Sequence, residues 1–189
     1  RVVLVKAKGD NFGGGGDVAG MMASLAMAPA ERADSYFQRL DNARAMVSNW
    51  CSIPQPIVTA VRGAVAGAAM MYPLGADVAL GDPTSFFLCA HTHIGLSPDS
   101  GLSWMLPRAI GVKRATELFL TGRKVGAEEA LSIGLISRIV PAETLDTDAE
   151  KVALALARGP ANVLRDAKQM MAGAPETSLA VQLELERDK

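Results

Sequence analysis

The sequence has 189 residues, of which 19 are Lys or Arg and 20 are Asp or Glu, so the formal net charge at pH 7 is −1. This balance argues against a protein that binds nucleic acid or an acidic membrane surface, because such proteins carry a basic excess. A hydrophobic content of 49% excludes a disordered chain, and the length suits one domain. The two cysteines make no disulfide framework and favour a reducing, cytoplasmic compartment.

No stretch of the sequence is predicted to cross or target a membrane. A membrane helix needs roughly 18 consecutive apolar residues, and the longest charge-free apolar run, Gly63–Ala76, is interrupted by glycine and proline. Arg1–Val5 lacks the basic region, apolar core and cleavage site of a secretory signal. Because the chain begins without Met and inside an apolar run, we expect further residues upstream.

The first 61 residues are predicted to form two buried strands on either side of a long helix. Val2–Val5 is a short β-branched run, typical of a strand buried on both faces, and a glycine-rich loop follows over residues 8–17. Apolar residues recur at helical spacing from Pro29 to Trp50, where two prolines end the pattern. Ile57–Val61 is then predicted to be the second buried strand.

The rest of the chain is predicted to contain two short strands and then only helices. A small-residue helix is expected over Ala66–Leu74, followed by strands Val78–Leu80 and Ser85–Leu88 around the turn at Gly81. The later helices are expected over Gly101–Ile110, Lys113–Leu120, Ala127–Ile133, Asp146–Arg158, Pro160–Ala172 and Pro175–Arg187. Strands joined by helical crossovers indicate a mixed α/β fold.

The glycine-rich loop has several interpretations. Gly14-x-Gly16-x-x-Ala19 matches a dinucleotide-binding fingerprint, but it lies well beyond the strand, and no acidic residue closes a second strand about 20 residues later. A flexible surface turn is a second interpretation. In the third, backbone N–H groups of the loop combine with those at the start of the Ala66–Leu74 helix to form an oxyanion hole. The alternative for that helix start is close packing of small residues.

The only two histidines of the chain lie in the segment Cys89–His93. If the segment is extended, Cys89, His91 and His93 point the same way and form a plausible set of metal ligands. No second cluster supplies the further ligand that tetrahedral zinc needs, so no metal is predicted. The alternatives are structural histidines and a direct role of one histidine at a site.

Asp99 is the candidate for proton transfer. It follows a proline and precedes a helix, so it is either an N-cap or a carboxylate held at a pocket wall. A hydrolase nucleophile motif, G-x-S-x-G, does not occur. The nine methionines are compatible with an adaptable apolar pocket, or simply with core packing.

Six ordered segments carry a resemblance to a known family. The loop Phe12–Val18 stands where that family usually reads F-C-A-G-A-D-L, and Gly95–Gly101 is similar to its G-L-x-P-D-x-G. The other matching segments are Val2–Val5, Ile53–Gly63, Leu118–Arg123 and Ala127–Ile136. Over nearly its whole length, the sequence resembles the enoyl-CoA hydratase/isomerase (crotonase) superfamily.

The resemblance implies a fold, a substrate and a set of site residues. The fold is a crotonase-like ββα spiral core, expected over residues 1–135, with a C-terminal helical trimerisation region over 136–189. We expect one such domain, without some N- and C-terminal parts of the full family domain, assembled as a trimer or a dimer of trimers. The substrate is an acyl-CoA thioester, and coenzyme A is part of it, so no separate cofactor is implied. Its carbonyl oxygen would lie between the N–H groups of Gly16 and Ala68, with Gly14, Gly15, Asp17, Met71 and Leu102 as further substrate-binding residues.

The departures from the family pattern suggest the reaction. Hydratases of the family use two glutamates to activate water, and the corresponding positions are Met71 and His91. Asp99 stands where several isomerases keep a catalytic aspartate, and a pocket lined by Met71, Met105 and Leu102 would raise its pKa by desolvation. Enoyl-CoA double-bond isomerisation by Asp99, assisted by His91, is therefore predicted. The alternatives are a hydratase or acyl-CoA hydrolase that uses His91, and a non-catalytic acyl-CoA-binding homologue.

Overall fold

Seven short strands and nine α-helices make up the computed structural model, which describes residues 1–189. The strands are β1 (Val3–Lys6), β2 (Ile57–Val61), β3 (Ala64–Ala66), β4 (Val78–Gly81), β5 (Phe86–Leu88), β6 (Lys124–Gly126) and β7 (Arg138–Ile139). The helices are α1 (Val18–Ala23), α2 (Pro29–Cys51), α3 (Met71–Leu74), α4 (Leu102–Ile110), α5 (Val112–Thr121), α6 (Ala127–Ile133), α7 (Leu145–Arg158), α8 (Ala161–Gly173) and α9 (Leu179–Asp188). Short 3₁₀ segments lie at Ser24–Ala26, Gly67–Met70, Ala90–Ile94 and Ala174–Glu176.

The strands form two sheets, and the chain crosses from one to the other within the strand pairs β2/β3 and β4/β5. One sheet is parallel, in the order β1-β2-β4-β7, and the other has the order β3-β5-β6, with β5 and β6 antiparallel. Only two residues separate β2 from β3, yet the two strands belong to different sheets, and the same holds for β4 and β5 across a short turn. Each strand pair is followed by helix, which gives a repeating ββα path.

The parallel sheet is buried on both faces, because β2 alternates between two clusters of side chains. Ile57 and Val61 belong to a 20-residue core on one face. Val58 and Ala60 face a smaller cluster that includes Leu145 from α7. All five residues of β2 are buried, as its continuous apolar sequence predicts.

The glycine-rich loop is held against the second sheet by backbone hydrogen bonds. The Gly13 N–H donates to the Ala64 carbonyl at 2.9 Å, and the Ala66 N–H donates to the Gly13 carbonyl at 2.9 Å. Gly13 thereby pairs in parallel with Val65 of β3. This pairing brings the next residues of the loop beside the 3₁₀ segment that follows β3.

The predicted strands β1, β2, β4 and β5 and the long helix α2 are confirmed to within two residues. The helix expected over Ala66–Leu74 is wrong at its start, because Ala64–Ala66 is a strand and Gly67–Met70 is a 3₁₀ segment. The expectation of helices alone after Gly101 is also wrong, since β6 and β7 were missed. These strands have three and two residues, too few for a periodic pattern.

The C-terminal helices differ in their burial. Helix α7 packs on the parallel sheet through Leu145, Ala149 and Ala153. Helices α8 and α9 contain no buried residue. No helix combines the length and the apolar character that a membrane crossing requires.

Candidate active site

A cavity of about 670 Å³, called here the main cavity, lies where the glycine-rich loop, the turn after β3 and helix α2 meet. Gly13–Asp17 and Ala68 line it, and so does Asp99. The residues that contribute from α2 are Tyr36, Arg39, Leu40, Asn42, Ala43 and Met46. A backbone-lined wall and a carboxylate thus border the same space.

Gly15 brings the two backbone segments of this wall into contact. A β-carbon at Gly15 would lie 2.8 Å from both the Ala66 carbonyl oxygen and the Ala68 nitrogen. The residue also has a φ of +93°, a conformation that side chains disfavour. Only glycine therefore permits this approach.

Two N–H groups of the wall are suited to bind an oxyanion. The Gly16 N–H donates to no group of the protein. Ala68 lies in the first turn of the 3₁₀ segment, where N–H groups have no acceptor within the helix. Asp17 fixes the end of the loop, because its carboxylate accepts a hydrogen bond from the Gly20 N–H at 2.9 Å and caps α1. Fixed donors of this kind stabilise negative charge that develops on a carbonyl oxygen.

A left-handed turn positions Asp99. Ser100 has a φ of +50°, the only positive φ outside glycine, and Gly101 follows with a φ of +73°. A β-carbon at Gly101 would lie 2.9 Å from the Cγ1 of Val47 on α2. Such a backbone outlier persists only where surrounding structure enforces it, and it is common at functional sites.

Asp99 is paired with His91. His91 Nε2 and Asp99 Oδ1 are 3.1 Å apart, with 5% of the histidine side chain and 26% of the aspartate side chain exposed. This hydrogen bond, with a smaller contribution from Ser100, lowers the pKa of Asp99 below its ordinary value of 3.8 despite the opposing effect of burial. The prediction of a raised pKa is wrong, because the hydrogen bond outweighs desolvation. Asp99 is a carboxylate at neutral pH.

The extended conformation considered for Cys89–His93 is also wrong. The segment Ala90–Ile94 is a 3₁₀ helix, so Cys89, His91 and His93 do not share a face. Cys89 is buried beside Met70, while His93 is exposed. No group of three or more His, Cys, Asp or Glu side chains is placed to hold a metal ion.

Two of the predicted substrate-binding residues lie in the core instead. Met71 and Leu102 are fully buried, and neither lines the main cavity. Met105 is 5% exposed and does not line it either. Gly14, Gly15 and Asp17 do line the cavity, as do Gly16, Ala68 and Asp99.

Sequence reasoning missed the contribution of helix α2. Tyr36, Arg39, Ala43 and Met46 repeat at helical spacing and face the main cavity. That spacing was used only to predict a helix, and the polar Arg39 within it was the available signal of a cavity. Burial and the charge of Asp99 raise the pKa of Tyr36.

A second, more apolar cavity of about 610 Å³ adjoins the first. The two share Met21 and Tyr36. Its other apolar lining residues include Met22, Leu25 and Phe37, which are all more than half exposed.

The sequence matches the model of the enoyl-CoA hydratase/isomerase family over residues 1–189. The chain belongs to this family. The resemblance found in the motifs is therefore confirmed, and the ββα path with its helical C-terminal region is the crotonase fold.

Similar proteins of this family carry different names. The chain is 32% identical to a trans-2-decenoyl-[acyl-carrier-protein] isomerase of Streptococcus mutans over 90% of its own length and 64% of that protein. It is 38% identical to a 1,2-epoxyphenylacetyl-CoA isomerase of Escherichia coli over 76% of its length and 55% of that protein. The chain thus spans between half and two thirds of these curated relatives.

The fold match extends over the entire chain. An enoyl-CoA hydratase of Polaromonas sp. JS666 superposes with a TM-score of 0.89 at 29% identity, covering 100% of this chain and 72% of that one. A solved family member named a hydratase therefore has the fold of this chain, whereas the two curated relatives above are named isomerases.

Proposed function

We propose that this family member moves the double bond of an enoyl-CoA thioester. The observation that carries the proposal is the ionised Asp99 on the main cavity, which is also lined by the wall that contains the Gly16 and Ala68 N–H groups. The positions that correspond to the water-activating glutamates of hydratases are occupied by Met71, which cannot transfer a proton, and by His91. One carboxylate and two N–H donors suffice for a proton shuttle without water.

The proposed reaction has two proton transfers. Asp99 takes a proton from Cα of a 3-enoyl thioester, and the electrons of that C–H bond move onto the thioester oxygen to form a dienolate. The N–H groups of Gly16 and Ala68 stabilise this negative charge. Asp99 then returns the proton to Cγ, so that the double bond lies between Cα and Cβ and the carboxylate is regenerated.

The cavity has the chemistry expected for an acyl-CoA. Arg39 on its lining supplies positive charge for phosphate groups, while the adjoining cavity offers apolar walls to an acyl chain. Coenzyme A belongs to the substrate in this proposal, and no separate cofactor takes part. The names of similar proteins include both CoA and acyl-carrier-protein thioesters.

Product analysis in heavy-oxygen water tests the reaction. With 3-enoyl-CoA, we expect a 2-enoyl product that contains no heavy oxygen, as seen by mass spectrometry and NMR. Heavy oxygen at Cβ would instead indicate hydration, and free CoA would indicate hydrolysis. Tight binding of the thioesters without any turnover would indicate a non-catalytic binding protein.

We also propose that the chain self-associates as a trimer or a dimer of trimers. The support is the exposure of large apolar side chains on α8 and α9, which have no buried residue; these side chains are Val163, Met171, Leu179, Val181, Leu183 and Leu185. Light scattering should give three or six times the monomer mass of 19.8 kDa. Leu183→Glu should lower that mass, whereas the exposed Glu184→Gln should not; a monomeric wild-type protein would contradict the proposal.

A further inference from the structure

His91 differs from an ordinary acid–base histidine in the environment of its two nitrogens. Nε2 is 3.1 Å from Asp99 Oδ1, and Nδ1 is buried without any hydrogen-bond partner. The ring packs against Phe119, with the ring centroids 5.7 Å apart. Neither nitrogen is therefore available to a water molecule or to a substrate.

The unpartnered Nδ1 also selects a tautomer. If Nδ1 carried a proton, a buried N–H donor would be unsatisfied, which is costly. With the proton on Nε2, the ring donates a hydrogen bond to the Asp99 carboxylate, and Nδ1 is only an unused acceptor. The only N–H proton of the ring is then the one hydrogen-bonded to Asp99, so His91 cannot transfer a proton without losing that hydrogen bond.

We propose that His91 is a positioning residue that fixes Asp99 Oδ1, so that Oδ2 is the oxygen that exchanges the proton with the substrate. This inference rests on the proposed isomerase reaction and assigns His91 a role in it that excludes water activation. The 3₁₀ segment Ala90–Ile94 supplies the rigid support, since it places His91 beside the left-handed turn that follows Asp99.

Other charged groups near Asp99 do not replace His91. The other titratable side chains on the same cavities are Lys6, Asp17, Tyr36, Arg39, Tyr72 and His93. Among them, none is hydrogen-bonded to Asp99. Loss of the His91 ring would therefore leave the half-buried carboxylate with the effect of burial, which opposes ionisation, and with only the smaller contribution of Ser100 against it.

The test compares His91→Phe, which removes the N–H donor, with His91→Gln, which supplies an amide N–H in its place. In His91→Phe, the acid limb of kcat should move to higher pH while KM changes little, because the hydrogen bond that lowers the pKa of Asp99 is lost and the effect of burial remains. His91→Gln should restore much of the wild-type profile. His93→Gln is the matched control and should keep the wild-type profile, because His93 does not affect the pKa of Asp99.

A second measurement separates this inference from the proposed reaction. A ¹³C NMR titration of the Asp99 carboxyl reports the hydrogen bond between Asp99 and His91 without requiring turnover. The signal is assigned by its absence in Asp99→Asn. An upward shift of its midpoint in His91→Phe supports the positioning role even if no isomerase activity is found. An unchanged midpoint overturns the role even if the isomerase is active, as does oxygen incorporation that is lost in both His91 variants.

Discussion

Replacement of Asp99 by Asn should abolish most of the turnover of 3-enoyl-CoA. The amide keeps the shape and the hydrogen bond to His91 but cannot take a proton, and general acid–base catalysis typically contributes about 10²–10⁴-fold. We expect kcat to fall by that factor, with KM within about threefold, in a spectrophotometric assay of 2-enoyl-CoA formation. The exposed Asp41→Asn on α2 is the control and should keep full activity.

The pH dependence follows from the same residue. The pKa of Asp99 lies below 3.8 because of its hydrogen bond to His91, so the active carboxylate persists as the pH falls through 5 and 4. We therefore expect the acid limb assigned to Asp99 to lie below pH 3.8. Full isomerase activity in Asp99→Asn would contradict the proposed mechanism, whatever the pH profile of the wild-type protein.

Substitution of Gly15 by Ala should lower kcat almost as much as Asp99→Asn does. The new β-carbon would lie 2.8 Å from two backbone atoms of the opposing segment, and the φ of +93° would add strain. The loop must then move away from Ala68, which separates the two oxyanion donors. Loss of one such donor typically lowers kcat by about 10²–10³-fold, so we expect a decrease of that size in steady-state kinetics.

Gly111→Ala provides the matched control for Gly15→Ala. Gly111 has a similar φ of +83°, but its β-carbon would meet nothing within 4 Å, and the residue lies between α4 and α5. We expect this variant to lose about 1 kcal/mol of stability in a denaturant titration and to keep its kcat. If both variants lost activity equally, left-handed strain alone would explain the effect, and the contact between the loop and Ala68 would be irrelevant.

The sequence predicted the elements that have strong local patterns. The β-branched run of β2 and the helical spacing of α2 are visible in any window of residues, whereas β7 has only two residues and no pattern of its own. The start of the small-residue helix was wrong because Ala64–Ala66 becomes a strand only by pairing with Phe86–Leu88, which is distant in sequence. Tertiary contacts override weak local preference there.

The site was predictable in its residues but not in its electrostatics. The motifs placed Gly16, Ala68 and Asp99 on one cavity, as the structure does. The pKa of Asp99, however, depends on a hydrogen bond from His91 across a 3₁₀ turn, and the sequence analysis considered only an extended conformation there. Desolvation was inferred from apolar neighbours that in fact pack away from the cavity.

The pairing of Gly13 with Val65 has a consequence for how the protein acquires its site during folding. The two residues are 52 positions apart, and the oxyanion wall exists only when both segments have docked. Contacts between residues so far apart in sequence require a large loop to close first. This closure costs conformational entropy and slows folding. A partly folded chain, or a fragment that lacks one of the two segments, therefore cannot form the oxyanion wall, and the binding geometry arises together with the native topology.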